Sequence, residues 1–266
     1  MPWSTSPPAD PPSRFLPGPR PRAIAHRGFA PDGAENTLRA FADALALGAT
    51  VLETDTRATR DGLALAFHDA SLQRVCADPR GTRDLSRADL PGIRTAGGEP
   101  LAALEDVLGA FPDVPVNIDV KDAAAIGPAV EAIRRTGSAS RVCVTSFEGA
   151  VAHAAVHGIL EATGILPVRS PSRGAMAAFL AARTLPAPDR AVRRVLAPYA
   201  ALQVPVQHRG VPIVTRANIA AAHRAGCEVH VWTIDEPAQM RRLLDLGADG
   251  IITNRIDLLA PLLAQT

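Results

Sequence analysis

The run Val51-Leu52-Glu53-Thr54-Asp55 reads as a β-strand that carries two carboxylates two residues apart. Side chains at that spacing leave the same side of a sheet, so Glu53 and Asp55 point together. Burying two adjacent carboxylates is costly, because they repel and lose solvation, unless a positive partner such as a hard divalent cation compensates them. A surface strand with solvated acids is the competing reading. Working outward, short β-like runs alternate with longer helical ones, the pattern of parallel strands joined by crossover helices. The strand candidates are 23–27, 51–57, 63–68, 116–120, 141–147, 202–206, 229–234 and 250–253. The stretch 37–47 carries Leu38, Phe41 and Leu45 on one helical face and stops at Gly48; 237–246 carries Met240, Leu243 and Leu244 and stops at Gly247. The predicted fold is α/β, a TIM-type (β/α)8 barrel with a small insertion after the second strand region.

A chain of 266 residues fits one such barrel. Its composition, 47% apolar but only 4% aromatic, calls for a core of Ala, Leu, Val and Ile. Acids and bases nearly cancel, at a net +1, and are mixed along the chain, so no basic stripe marks a nucleic-acid partner. Cys76, Cys143 and Cys227 are odd in number and lack metal-type spacing, which reads as reduced thiols. No membrane span and no leader-type apolar run is legible, and the expectation is a cytoplasmic protein. Residues 1–21 hold eight of the 24 prolines and read as a disordered arm, followed by one domain over 22–266. Residues 70–98 lack periodicity and read as an insertion covering one end of the barrel. The stretch 164–200 is rich in arginine and alanine, and its fifth strand is not placed by pattern.

Several clusters carry chemistry. Ala25-His26-Arg27-Gly28 ends the first strand, and Glu35-Asn36-Thr37 opens the first helix, where the acid either favours the helix's positive end or serves a pocket. In parallel barrels the C-terminal strand ends collect catalytic groups. His68-Asp69 ends a second apolar run. Two histidines beside an acidic pair suit the proton removal and delivery that hydrolysis of a phosphodiester demands. Asn117, Asp119 and Lys121 share one face of 116–120 and its end, which makes Asp119 the candidate for a third carboxylate. Lys121 is the only lysine among 28 basic residues, a compact ammonium where arginine is used everywhere else. Trp232 sits in His230-Val231-Trp232-Thr233, either lining a pocket or plugging the barrel.

Taken in order, His-Arg-Gly, Glu-Asn-Thr, Glu-x-Asp, His-Asp, acidic-x-Lys and Trp-Thr resemble the glycerophosphodiester phosphodiesterase family from about Arg22 to Leu262. That resemblance implies a distorted TIM barrel with an insertion after the second strand. It implies His26 and His68 as general acid and base, with Glu53, Asp55 and Asp119 around a divalent cation, Mg2+ or Ca2+. Arg27 and Lys121 would hold phosphate, Glu35 would join the same pocket, and Trp232 would line it against substrate. The implied reaction turns a small glycerophosphodiester into sn-glycerol 3-phosphate and an alcohol, with a substrate hydroxyl as first nucleophile through a cyclic intermediate. Asp119 stands where glutamate is usual, Asn254 and Ile256 where the closing motif has Asp and Pro, and Ala34 where proline is common. Two other readings share these residues. One is a lysophospholipase D-type enzyme, which calls for an apolar entrance, although no hydrophobic anchor is legible beside the loops. The other is a catalytically silent binding barrel.

Overall fold

The computed structural model of the protein describes residues 16–264. Eight parallel strands curve into a nearly closed barrel: β1 (Arg22–His26), β2 (Val51–Ala58), β4 (Val116–Val120), β5 (Val142–Thr145), β6 (Val168–Arg169), β7 (Ala201–Pro205), β10 (Glu228–Trp232) and β11 (Gly250–Thr253). Their order is β6-β5-β4-β2-β1-β11-β10-β7. Strand β3 (Ala64–Ala66) pairs antiparallel with β2, and β8 (Gln207–His208) with β9 (Val211–Pro212) forms a separate hairpin.

Two expectations about strands change. The candidate 63–68 is not a barrel strand, because the tight Asp61-Gly62 turn folds β3 back along β2, with Thr56 opposite Ala66. The fifth barrel strand, hidden in 164–200, is the two-residue β6. Pro167 and Pro171 bracket it, and proline lacks the N–H that a longer ladder needs. No ladder joins β6 to β7. The seam is bridged by Ala200 N–H donating to the Arg169 carbonyl at 3.1 Å and Gln203 N–H donating to Ser170 Oγ at 3.3 Å.

Period-2 alternation sorts each strand between two cores. Outward residues such as Ala25, Leu52, Ile118, Val144 and Val231 pack on helix residues including Phe41, Val107, Ile159 and Met240. Inward residues Ile24, Val51, Cys143, Ala201 and Ile252 form a separate apolar plug, which Leu16 joins from the N-terminal side. Of the arm expected over 1–21, residues 1–15 lie outside the described residues, while Leu16 is buried because it fills this plug. Beneath lies a buried ionic group: Arg22 donates to Glu228 at 2.6 and 2.9 Å, and His230 Nε2 lies 2.8 Å from Glu228 Oε2. Gly250 makes room for it, since a Cβ there would lie 2.9 Å from the His230 ring.

The insertion after β2 has a small core of its own, with Leu63, Leu65, Phe67, Leu72, Leu85 and Leu101. It includes the short helix Gln73–Cys76, whose Arg74 reaches back towards the barrel rim. None of the three cysteines is in a disulfide. Among the described residues, no helix is long and apolar enough to cross a membrane.

Candidate active site

Strand register assembles the site. His26 on β1 stands beside Glu53 on β2, and Glu53 beside Asn117 on β4; one pleat further on, Asp55 faces Asp119. Residues two apart share a face, so these side chains all enter the barrel at its C-terminal mouth. They line a pocket of about 210 Å³ with Arg27, His68, Lys121, Phe147, Gln203 and Trp232. Of the residues selected from sequence, Glu35 alone does not line it.

The first loop is shaped by its backbone. Arg27 and Gly28 both adopt positive φ, 59° and 83°, and a Cβ on Gly28 would lie 2.7 Å from the Ala40 carbonyl. Glycine therefore lets the turn press against the first helix, Leu38–Ala46, whose N-cap Thr37 accepts from Ala40 N–H. Arg27 N–H donates to the Glu53 carbonyl at 3.0 Å, while its guanidinium lies 2.9 Å from Asp55 Oδ2 and 3.0 Å from Glu35 Oε1. Glu35 also accepts from Arg74 at 2.7 and 2.8 Å. It is thus a strut behind the pocket that fixes Arg27 and ties the insertion to the rim.

Lys121 sits between two acids, 2.6 Å from Asp55 Oδ1 and 2.5 Å from Asp119 Oδ2. Burial raises the Asp55 carboxyl, but Lys121 and Arg27 outweigh it and hold the group below its ordinary range. Asp119 is raised by burial in spite of Lys121, and its Oδ1 is buried with no hydrogen-bond partner. Burial and the Asp55 carboxylate push Glu53 well above the ordinary carboxylate range. Among the described residues no three acidic, histidine or cysteine side chains converge as a ready-made metal cage. The donor set still suits a hard cation, because a buried Glu53 that resists ionisation and the unpaired Asp119 oxygen both gain from a positive charge.

The two imidazoles are held differently. His68 Nδ1 lies 2.6 Å from Asp69 Oδ1, and Asp69 accepts from Arg74 at 2.6 Å. Burial opposes ionisation of Asp69, yet Arg74 and His68 bring its carboxyl down to about 2. His26 Nδ1 lies 2.8 Å from Asn254 Oδ1, an amide oxygen, and burial together with Arg27 lowers the His26 value below 6.5.

Some side chains at or beside the pocket escaped the sequence reading. Arg74 lies in the unpatterned insertion. Gln203 on β7, which donates to Asn117 Oδ1 at 3.0 Å, and Phe147 just beyond the end of β5, whose ring meets Trp232 edge-on at 5.9 Å, carry no charge to mark them. An apolar entrance also escaped it. A cleft of about 350 Å³, lined by Met176, Leu180, Val204 and Ile213, continues from the pocket through Phe147, Pro171, Gln203 and Trp232. Its residues come from well-separated segments, so no linear hydrophobic run announces it.

A parallel barrel with two imidazoles, three carboxylates and one ammonium at its C-terminal rim has the makings of an enzyme that cleaves phosphate esters. The sequence matches the Glycerophosphoryl diester phosphodiesterase family over residues 26–258, and the chain belongs to that family of phosphoric diester hydrolases. It is 39% identical over 243 residues, covering 91% of this chain and 90% of the relative, to a Mycobacterium tuberculosis protein named "Probable glycerophosphodiester phosphodiesterase 2". A lysophospholipase D of Rattus norvegicus is 34% identical over 113 residues, 38% of this chain and 36% of the relative. An Oleispira antarctica phosphodiesterase, solved in complex with the product sn-glycerol-3-phosphate, shares the fold with a TM-score of 0.72 at 17% identity, over 94% of this chain and 97% of that one.

Proposed function

We propose that the chain hydrolyses glycerophosphodiesters to sn-glycerol 3-phosphate and an alcohol, with His26 and His68 as the proton-transfer pair and a divalent cation, Mg2+ or Ca2+, at Glu53, Asp55 and Asp119. The observation that carries this reading is the meeting of both imidazoles with those acids, Arg27 and Lys121 around one pocket. Hydrolysis needs a proton taken from the attacking hydroxyl and another given to the leaving oxygen. His26, lowered by burial, is neutral near pH 7 and takes the first; His68, aligned by Asp69, returns the second. Arg27 and Lys121 set positive charge where the phosphoryl oxygens gain negative charge. A bound cation would add Lewis-acid neutralisation of those oxygens. Trp232 and Phe147 supply an apolar wall for the carbon skeleton.

A second reading is favoured by the cleft next to Phe147 and Trp232. It gives a monoacylated substrate, as for a lysophospholipase D, a place for its chain. Purified protein assayed with glycerophosphocholine and with lysophosphatidylcholine, each with Mg2+, with Ca2+ and with chelator, separates the readings. Release of sn-glycerol 3-phosphate only with metal supports the first, and preferential turnover of the acylated substrate supports the second. No turnover of either by folded protein under any metal condition would leave a silent binding barrel.

A further inference from the structure

We infer that Asn254 and Asp235 form a positioning relay that fixes the ring orientation and tautomer of His26; the inference deepens the function proposed above and rests on His26 being the base. One carboxylate holds Asn254 twice: Asp235 Oδ1 accepts from Asn254 backbone N–H at 2.9 Å, and Oδ2 accepts from Asn254 Nδ2 at 2.9 Å. Asp235 Oδ1 also accepts from the Thr253 hydroxyl at 3.0 Å, which anchors the carboxylate on β11.

A primary amide can present either its oxygen or its NH2 to a neighbour. An ionised carboxylate only accepts hydrogen bonds, so Asp235 draws the NH2 to itself and leaves Asn254 Oδ1 facing His26 Nδ1 at 2.8 Å. That oxygen cannot donate. His26 Nδ1 must therefore carry the hydrogen, and in the neutral ring the lone pair falls on Nε2, the nitrogen left for the pocket that His26 lines.

The arrangement gives the two imidazoles separate jobs. The proton of the attacking hydroxyl passes to His26 Nε2 as its oxygen bonds to phosphorus, while the bond from phosphorus to the leaving oxygen breaks and that oxygen takes a proton from His68. Asn254 and Asp235 touch no reacting atom. They act by preventing the Nε2–H tautomer, in which His26 has no free electron pair towards the substrate. The carboxylate at 235 also accounts for why an amide serves at 254, where the family's closing motif has an acid: two carboxylates there would face each other.

The test uses full-length chain with 15N-labelled histidine, the His26 signals being identified by their loss in His26→Ala. Long-range 1H–15N correlation at a pH where His26 is neutral is expected to show the Nδ1–H tautomer. In Asp235→Asn the amide at 254 loses its fixed direction; mixed tautomers are expected, with kcat at least about tenfold lower, a part of the 10²- to 10⁴-fold that general acid–base catalysis carries, and KM unchanged. The swapped double variant Asn254→Asp/Asp235→Asn puts an acceptor back against Nδ1 and is expected to recover the tautomer and most of kcat. An Nε2–H tautomer in the unaltered chain overturns the relay, as does an unchanged tautomer and kcat in Asp235→Asn. If His26→Ala turns over normally, the base assignment falls instead, and the tautomer measurement still decides the relay.

Discussion

The ammonium of Lys121 lies 2.6 Å from Asp55 Oδ1 with only 9% of its side chain exposed, so the lone lysine of the chain is largely shielded between acids. Removing one member of a buried ion pair leaves an uncompensated charge and costs about 3–5 kcal/mol. Lys121→Met is expected to lose stability of that order in denaturant titrations. Because the stranded Asp55 and Asp119 can protonate, the loss is expected to be smaller at pH 5 than at pH 8. Equal stability of variant and parent at both pH values would show that the lysine is not compensating these acids.

His26→Ala and His68→Ala are each expected to lower kcat by about 10²- to 10⁴-fold, the usual span of general acid–base catalysis. Circular dichroism should report a folded barrel in both, since neither ring belongs to a hydrophobic cluster. Near-parental turnover in either variant removes that residue from the proton-transfer pair.

The pH profile follows from His26. Burial and Arg27 lower its folded value below 6.5, so its base form persists into mildly acidic solution and the acidic limb of kcat/KM is expected below pH 6.5. The same shift has a sign for stability. Below pH 6.5 the unfolded chain binds this proton more readily than the folded one, so the His26 contribution to stability declines as pH falls from 6.5 through the folded value. An acidic limb above 6.5 would contradict the assignment.

At the far end of the barrel, Glu228 accepts from Arg22 and lies 2.8 Å from His230, all three fully buried. Glu228→Gln removes the charge of one member of the buried Arg22–Glu228 ion pair, and a loss of about 3–5 kcal/mol is expected. Turnover per folded molecule should persist, because the Ile24–Ile252 plug separates this group from the pocket. A selective fall in kcat at unchanged melting temperature would reveal coupling across the barrel.

Much of the site was legible because charge on a strand is conspicuous. The two-residue spacings of Glu53 with Asp55 and Asn117 with Asp119 fixed their shared face, and the alternation of elements implied the barrel that brings them together. What could not be read depends on partners distant in sequence. Glu35 had two readings, helix end or pocket, and only the folded chain shows it clamped by Arg27 and Arg74. The candidate 63–68 has the composition of a strand, but whether it continues into the barrel or turns back along β2 depends on its pairing with Thr56 and Arg57. Strand β6, two residues between prolines, has too little length for a period to declare itself. Asn254 stood out only as a departure from the family pattern, and its link to Asp235 crosses 19 positions.

The thin seam between β6 and β7 divides the rim mechanically. His26, Glu53, Asp55 and Asp119 stand on strands paired on both sides, whereas the far wall, with Pro171 and Gln203, is joined across the seam, among the described residues, by only two hydrogen bonds from backbone N–H groups and no ladder. Weakly tied backbone opens at low free energy, so amide exchange at Ala200 and Gln203 is expected to outpace that at Glu53 and Asp119. The side of the rim that carries the proposed metal ligands and His26 is thereby clamped, while the wall beside the apolar cleft has give.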